Sequence, residues 1–142
     1  MADKVSIRIP SEIKNIKKVS SGILKDLKPR KIGDDAAFDI RLCVDEAVRN
    51  AIMHGNKSKK GLSVTVTYSI RPDSLEVEVA DEGKGFDHRD LPDPTTGENI
   101  MRNSGRGILI MRKLMDRVEF RGPGNVVRMI KYFKKKGEED GG

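Results

Sequence analysis

Three short segments carry residues whose types and spacing suit chemistry. Glu46 and Asn50 stand four apart in Glu46-Ala-Val-Arg-Asn50, so a helix stacks them on one face. Asp81 leads Asp81-Glu-Gly83-Lys-Gly85-Phe86, an acid and two glycines straight after an alternating apolar run. Gly105-Arg106-Gly107 opens a further helical pattern. The carboxamide oxygen of Asn50 suits a hard cation such as Mg²⁺, which takes one or two oxygens from protein and the rest from phosphates and water. Glu46 is then free to act as general base on an attacking hydroxyl. Asp81 ends a strand and accepts from an amino group. At a base pocket it selects adenine, whose exocyclic amine donates, over guanine, whose corresponding group accepts. Gly83 and Gly85 permit positive φ and a close backbone approach to a flat ring or a phosphate. Free amides at the helix start, with Gly107 leaving room and Arg106 adding charge, bind phosphate. An acid, an amide oxygen and glycine turns are the parts that hold a nucleotide with a metal ion.

Taken one at a time, each segment also fits a plainer role. Glu46 and Asn50 fit a solvated helix face laced with Asp45–Arg49 ion pairs. The glycines after Asp81 fit an ordinary turn, and Gly105 to Gly107 fit a glycine-rich helix start. The segment after Asp81 lacks the regular acids and closing Glu of a calcium loop, and no G-x-x-x-x-G-K-[ST] phosphate loop occurs.

The elements that must position these residues read from periodicity. Val5 to Ile9 alternates as a strand ended by Pro10, and Ser11 caps an amphipathic helix to about Leu27 with Ile13, Ile16, Val19, Ile23, Leu24 and Leu27 inward. A longer helix runs from about Asp34 to His54, with Gly55 as its stop. Its core stripe is Ala36, Ala37, Ile40, Val44, Ala47, Val48 and Ala51, with Glu46 and Asn50 at one edge. Leu62 to Ile70 and Leu75 to Val79 form a hairpin about Arg71-Pro-Asp-Ser74. Periodicity is lost from Gly83 to Gly105, a length that marks a functional or disordered loop. Gly107 to Met115 is helical, and Val118 to Arg121 and Val126 to Phe133 are strands about a glycine turn. Helices and hairpins segregate, so the class is α+β: a two-layer sandwich of a mostly antiparallel sheet with helices on one face. Residues 1–133 form one domain, and Lys134 to Gly142 is a frayed tail.

Composition sets bounds. A chain of 142 residues buries about 70% of its unfolded surface, enough for one core. Aromatics are 4% with no Trp, so Ile, Leu, Val, Ala and Met must build that core. The net charge of +6 admits an acidic or nucleic-acid partner. A small basic nucleic-acid binder lacks here the interleaved aromatics of a stacking platform, so no direct nucleic-acid contact is expected. The lone Cys43 excludes an internal disulfide and sits in an apolar helical pattern, either a buried small hydrophobe or a reactive thiol. With no apolar leader and no run of membrane-spanning length, a cytoplasmic protein is expected.

The three segments, in this order and at these separations, resemble the motifs of the Bergerat-fold ATPases, the superfamily of gyrase, heat-shock-ninety, histidine-kinase and mismatch-repair ATPases. The nearest likeness is to the anti-sigma factor serine kinases. Asp45-Glu46-Ala-Val-Arg-Asn50-Ala-Ile-Met-His54-Gly resembles their N box, Asp81 to Asp87 their first glycine box, and Gly105 to Met111 with Leu114-Met-Asp116 their second. The resemblance spans almost the whole chain. It implies Glu46 as catalytic base and Asn50 as Mg²⁺ ligand. It implies Asp81 on the adenine amine with Gly83 and Gly85 shaping its pocket, a lid from about Asp87 to Ser104, and Gly105, Arg106 and Gly107 facing the phosphates. It further implies ATP and Mg²⁺ as cofactors, an acceptor serine or threonine on a small antagonist protein, a sigma factor partner and a homodimer. The alternative is a non-catalytic ATP-gated binding module. Histidine kinases need an upstream helical hairpin carrying the acceptor His, so His54 is read as a helix-end polar residue.

Overall fold

A computed structural model describes residues 4–56, 61–83, 103–121 and 125–133, with the backbone alone for 103–106. The strands are β1 (Lys4–Pro10), β2 (Ser63–Ile70), β3 (Ser74–Ala80), β4 (Arg117–Arg121) and β5 (Val126–Tyr132). They form one antiparallel sheet in the order β1-β2-β3-β5-β4. The helices are α1 (Ile16–Leu27), α2 (Asp34–Asn50) and α3 (Asn103–Leu114).

Strand alternation explains the layering, because successive side chains point to opposite faces. The registered row Ile7, Val66, Val79, Val127, Phe120 is apolar, as is Val5, Tyr68, Val77, Met129, Val118. The row between them, Ser6, Thr67, Glu78, Arg128, Glu119, is polar. The apolar rows meet the helices in one hydrophobic cluster containing Val19, Ile23, Ile40, Val44, Val48, Val64 and Met111. Burying each such side chain contributes about 1.5–3 kcal/mol. The polar face is tied by Arg128, which donates to Glu76 and, at 3.3 Å, to Glu119. α2 lies between α1 and α3 and contacts both. The class is therefore the expected α+β sandwich.

Local details depart from expectation. Ser11 does not start a helix. A short 3₁₀ turn, Ile13–Asn15, precedes α1, and Ile13 is 49% exposed instead of inward. Ala36 and Ala37 are only partly buried. The second helix does not run evenly to His54. After Asn50 it widens into a π turn, Ala51–Gly55, closed by Asn56 N–H donating to the Ala51 carbonyl at 2.8 Å. α3 begins at Asn103, four residues before Gly107. The expected tail, Lys134 to Gly142, lies outside the described residues.

Candidate functional site

Glu46 and Asn50 belong to the half-buried edge of α2, beside the fully buried Cys43, Val44 and Val48. That edge faces α3. A Cβ placed on Gly107 would lie 2.8 Å from Asn50 Nδ2 and 3.1 Å from Glu46 Oε2. Any side chain there would press on both groups, so glycine serves by its missing atoms. Its helical position also alters the expected reason for it. Gly107 lies inside α3, where its amide is directed toward the Asn103 carbonyl. The amides left free are those of the first turn, Asn103 to Gly105. Arg106 falls in the second turn, and its side chain, like that of any residue from 103 to 106, is outside the described set.

A second junction forms at the π turn, five residues beyond Asn50 and roughly 7 Å farther along the axis. A Cβ on Gly55 would lie on the Asp81 carboxylate, 2.7 Å from Oδ1. A Cβ on Gly83 would overlap the Gly55 peptide, 2.6 Å from its carbonyl carbon. Gly83 therefore needs space for the Gly55 carbonyl; the left-handed φ allowed for it in the sequence reading is not used, since the glycines at positive φ among the described residues are Gly33 and Gly61. π turns of this kind recur at functional positions. Here the wider turn carries Gly55 against the end of β3.

Asp81 itself is held on both sides. Its backbone N–H donates to the Asn125 carbonyl at 3.0 Å, and Asn125 Nδ2 donates back to the Asp81 carbonyl at 3.1 Å. Its Oδ1 accepts the Gly83 N–H at 2.8 Å. Burial raises its carboxyl pKa above the ordinary value, and the Gly83 N–H pulls it partly back. Because one oxygen is occupied, the rest of the carboxylate's acceptor capacity remains for an amino group.

The structure thus brings Glu46, Asn50 and Gly107 together, and Asp81 with Gly83. Gly85 and the expected lid lie outside the described residues, apart from Asn103 and Ser104, which open α3. In the segment that the plainer reading assigned to Asp45–Arg49 ion pairs, Asp45 Oδ1 is buried without a hydrogen-bond partner. His54 is exposed. Cys43 is the inert alternative, fully buried, with its pKa pushed up to about 12 by burial first and Asp39 second.

Sequence reasoning missed Asn56 and Asn125 and misread Gly55. Gly55 stood out as a helix stop, but its partner across the chain was invisible. Asn56 and Asn125 lie outside any periodic segment, so patterning gave no signal for them.

Comparison with known proteins identifies the family. The histidine kinase-like ATPase domain family matches residues 9–131. A serine-protein kinase RsbW of Listeria innocua is 29% identical over 147 residues, spanning 99% of this chain and 94% of the relative. The serine-protein kinase RsbW of Bacillus subtilis is 35% identical over 106 residues, 70% of this chain and 66% of its own. An anti-sigma F factor of Thermoanaerobacter is 35% identical over 100 residues, 67% of this chain and 69% of its own. The chain belongs to the histidine kinase-like ATPase domain family and, within it, to the anti-sigma factor serine kinases.

Proposed function

We propose that this protein is an ATP-dependent serine/threonine kinase that doubles as an anti-sigma factor and phosphorylates a small antagonist protein. The observation that carries the reading is the approach of Gly107 to Glu46 and Asn50 across the α2–α3 contact. It brings a base and an amide together beside α3, whose free first-turn amides suit a triphosphate. Asp81, at the end of β3, stands against Gly55 of the π turn that continues α2, where an adenine amine would be read.

The donor set fits Mg²⁺·ATP. Asn50 offers a neutral oxygen, as suits an ion that keeps most of its ligands from phosphate and water. When bound, the ion neutralises charge on the phosphates. Glu46 takes the proton of the acceptor hydroxyl. The hydroxyl oxygen bonds to the γ-phosphorus while the bond from that phosphorus to the β–γ bridging oxygen breaks, and ADP departs. Gly105, Arg106 and Gly107 face the phosphates, and Gly83 and Gly85 shape the base pocket. The antagonist protein and the sigma factor are inferred from relatives named serine-protein kinase and anti-sigma F factor. A homodimer working in the cytoplasm completes the proposal. No helix among the described residues is long and apolar enough to cross a membrane.

Glu46→Gln tests the reading, because base and metal ligand are different residues. Phosphotransfer to the antagonist should fall by about 10²–10⁴, with the Kd for Mg·ATP changed less than about threefold. Undiminished phosphotransfer would remove Glu46 from the role of base. Undiminished partner regulation with no phosphotransfer in either protein would leave the ATP-gated binding module in its place.

A further inference from the structure

Asn56 stands just past the π turn and is 1% exposed, although it is polar and lies outside every regular element. Each of its amide atoms is engaged. Nδ2 donates to the Ser63 carbonyl at 2.9 Å and to Ser11 Oγ at 3.3 Å. Oδ1 accepts the Glu82 N–H at 2.8 Å. One side chain therefore joins the end of the α2 helix to the exit of β1, the entry of β2 and the turn that follows β3. Glu82 closes the same joint from the other side, its Oε2 accepting the Ser63 N–H at 2.7 Å and its Oε1 accepting from Arg8 at 3.2 Å.

The position of this joint gives it consequence. Glu82 lies between Asp81 and Gly83, so the hydrogen bond from its N–H sets the course of the turn that aims the Asp81 carboxylate. Asn56 directly follows the continuous helical segment, α2 and its π turn, that carries Glu46 and Asn50. We infer that Asn56 is a positioning residue of the nucleotide site: through the Glu82 N–H it fixes the adenine-reading Asp81 turn relative to the Glu46–Asn50 helix. A buried amide with all its bonds made resists displacement, because any shift leaves polar groups unpaired in a dry environment. The inference rests on the nucleotide reading of the site but not on phosphotransfer.

The experiment measures equilibrium Kd for Mg·ATP and Mg·GTP by calorimetry in the wild-type chain, Asn56→Ala and Ser11→Ala. Ser11→Ala removes one bond of the joint and leaves the Asn56–Glu82 bond. For Asn56→Ala the expected result is a Kd for ATP raised roughly tenfold or more, the equivalent of one hydrogen bond to the base. Its Kd for GTP should move less than about threefold, so that discrimination between the bases collapses. Ser11→Ala should lose thermal stability and keep wild-type discrimination. A purely structural role would lower the melting temperature of both variants and leave the ATP-to-GTP ratio unchanged, and that result overturns the inference. A wild-type chain that binds neither nucleotide overturns the site reading itself. If Asn56→Ala does not fold, amide exchange of the wild-type chain decides. The Glu82 N–H should exchange as slowly as the amides of β3, and exchange at the rate of an open turn would overturn the proposal.

Discussion

Gly55→Ala, compared with Gly22→Ala, separates a glycine required by the site from one that is merely tolerated. Gly22 lies within α1 with nothing within 4 Å of where a Cβ would stand. Alanine there should stabilise the fold by about 0.5–1 kcal/mol through helix propensity and a less free unfolded chain. That corresponds to about 2–4 °C in melting temperature for a chain of this size. Gly55 is also helical, but its Cβ would sit 2.7 Å from Asp81 Oδ1 and nearer still to the remaining carboxylate atoms. The carboxylate must turn away, which breaks its 2.8 Å bond from the Gly83 N–H and removes the acceptor proposed for adenine. A hydrogen bond to a charged group is worth about 1.5–3 kcal/mol, so the Kd for Mg·ATP should rise about 10- to 150-fold. Calorimetric titration of both variants, with melting curves alongside, reads the two effects separately. Wild-type ATP affinity in Gly55→Ala would refute the assignment of Asp81 as the adenine acceptor.

Other outcomes follow from Asp81 and from contacts elsewhere in the fold. Asp81→Asn should bind ATP at least about tenfold more weakly, because its single oxygen serves Gly83 and its NH₂ opposes the adenine amine. The raised folded pKa of Asp81 means that stability falls as pH rises from the ordinary value of 3.8 through the folded value, and the penalty persists at neutral pH. Asp81→Asn should accordingly melt higher at pH 7 and lose that advantage below the ordinary value; a lower melting temperature at pH 7 would contradict the sign. Arg128→Ala should cost about 1–3 kcal/mol in urea unfolding at pH 7 by leaving the half-buried Glu76 unpaired. The Arg128 hydrogen bond lowers the Glu76 pKa, so this contribution is present above 4.5 and is lost as pH falls through the lower folded value, and the difference from wild type should shrink at pH 3. Cys43, fully buried with its pKa pushed up to about 12, should resist a thiol reagent in the native chain at pH 8 and react only as the chain unfolds, whereas fast native labelling would place it at the surface.

Particular elements show what could be read in advance. Alternation along Leu75 to Val79 fixed both strand type and inward face, because a period of two leaves one register that buries the apolar rows; along Val5 to Ile9 it fixed the strand, but Val5 on this edge strand stays 38% exposed. The stripe containing Ile40, Val44 and Val48 located α2 and put Glu46 and Asn50 on its edge, since helix geometry follows from spacing alone. Ends were less legible. Ser11 carries the signature of a cap, yet its hydroxyl is taken by Asn56, 45 residues away, so a distant partner outcompeted the local one.

By itself, then, the order of residues determined the α+β class, the strands, the polar edge of α2 and the three segments proposed for nucleotide chemistry, all consequences of short-range periodicity and side-chain type. Tertiary structure alone decided which groups meet. Gly107 against Glu46 and Asn50, Gly55 against Asp81, and Asn56 against Ser11, Ser63 and Glu82 join positions far apart in the chain. Such meetings depend on how the π turn and the α2–α3 contact place the backbone in space, and no local pattern encodes a distance between residues that only packing brings together.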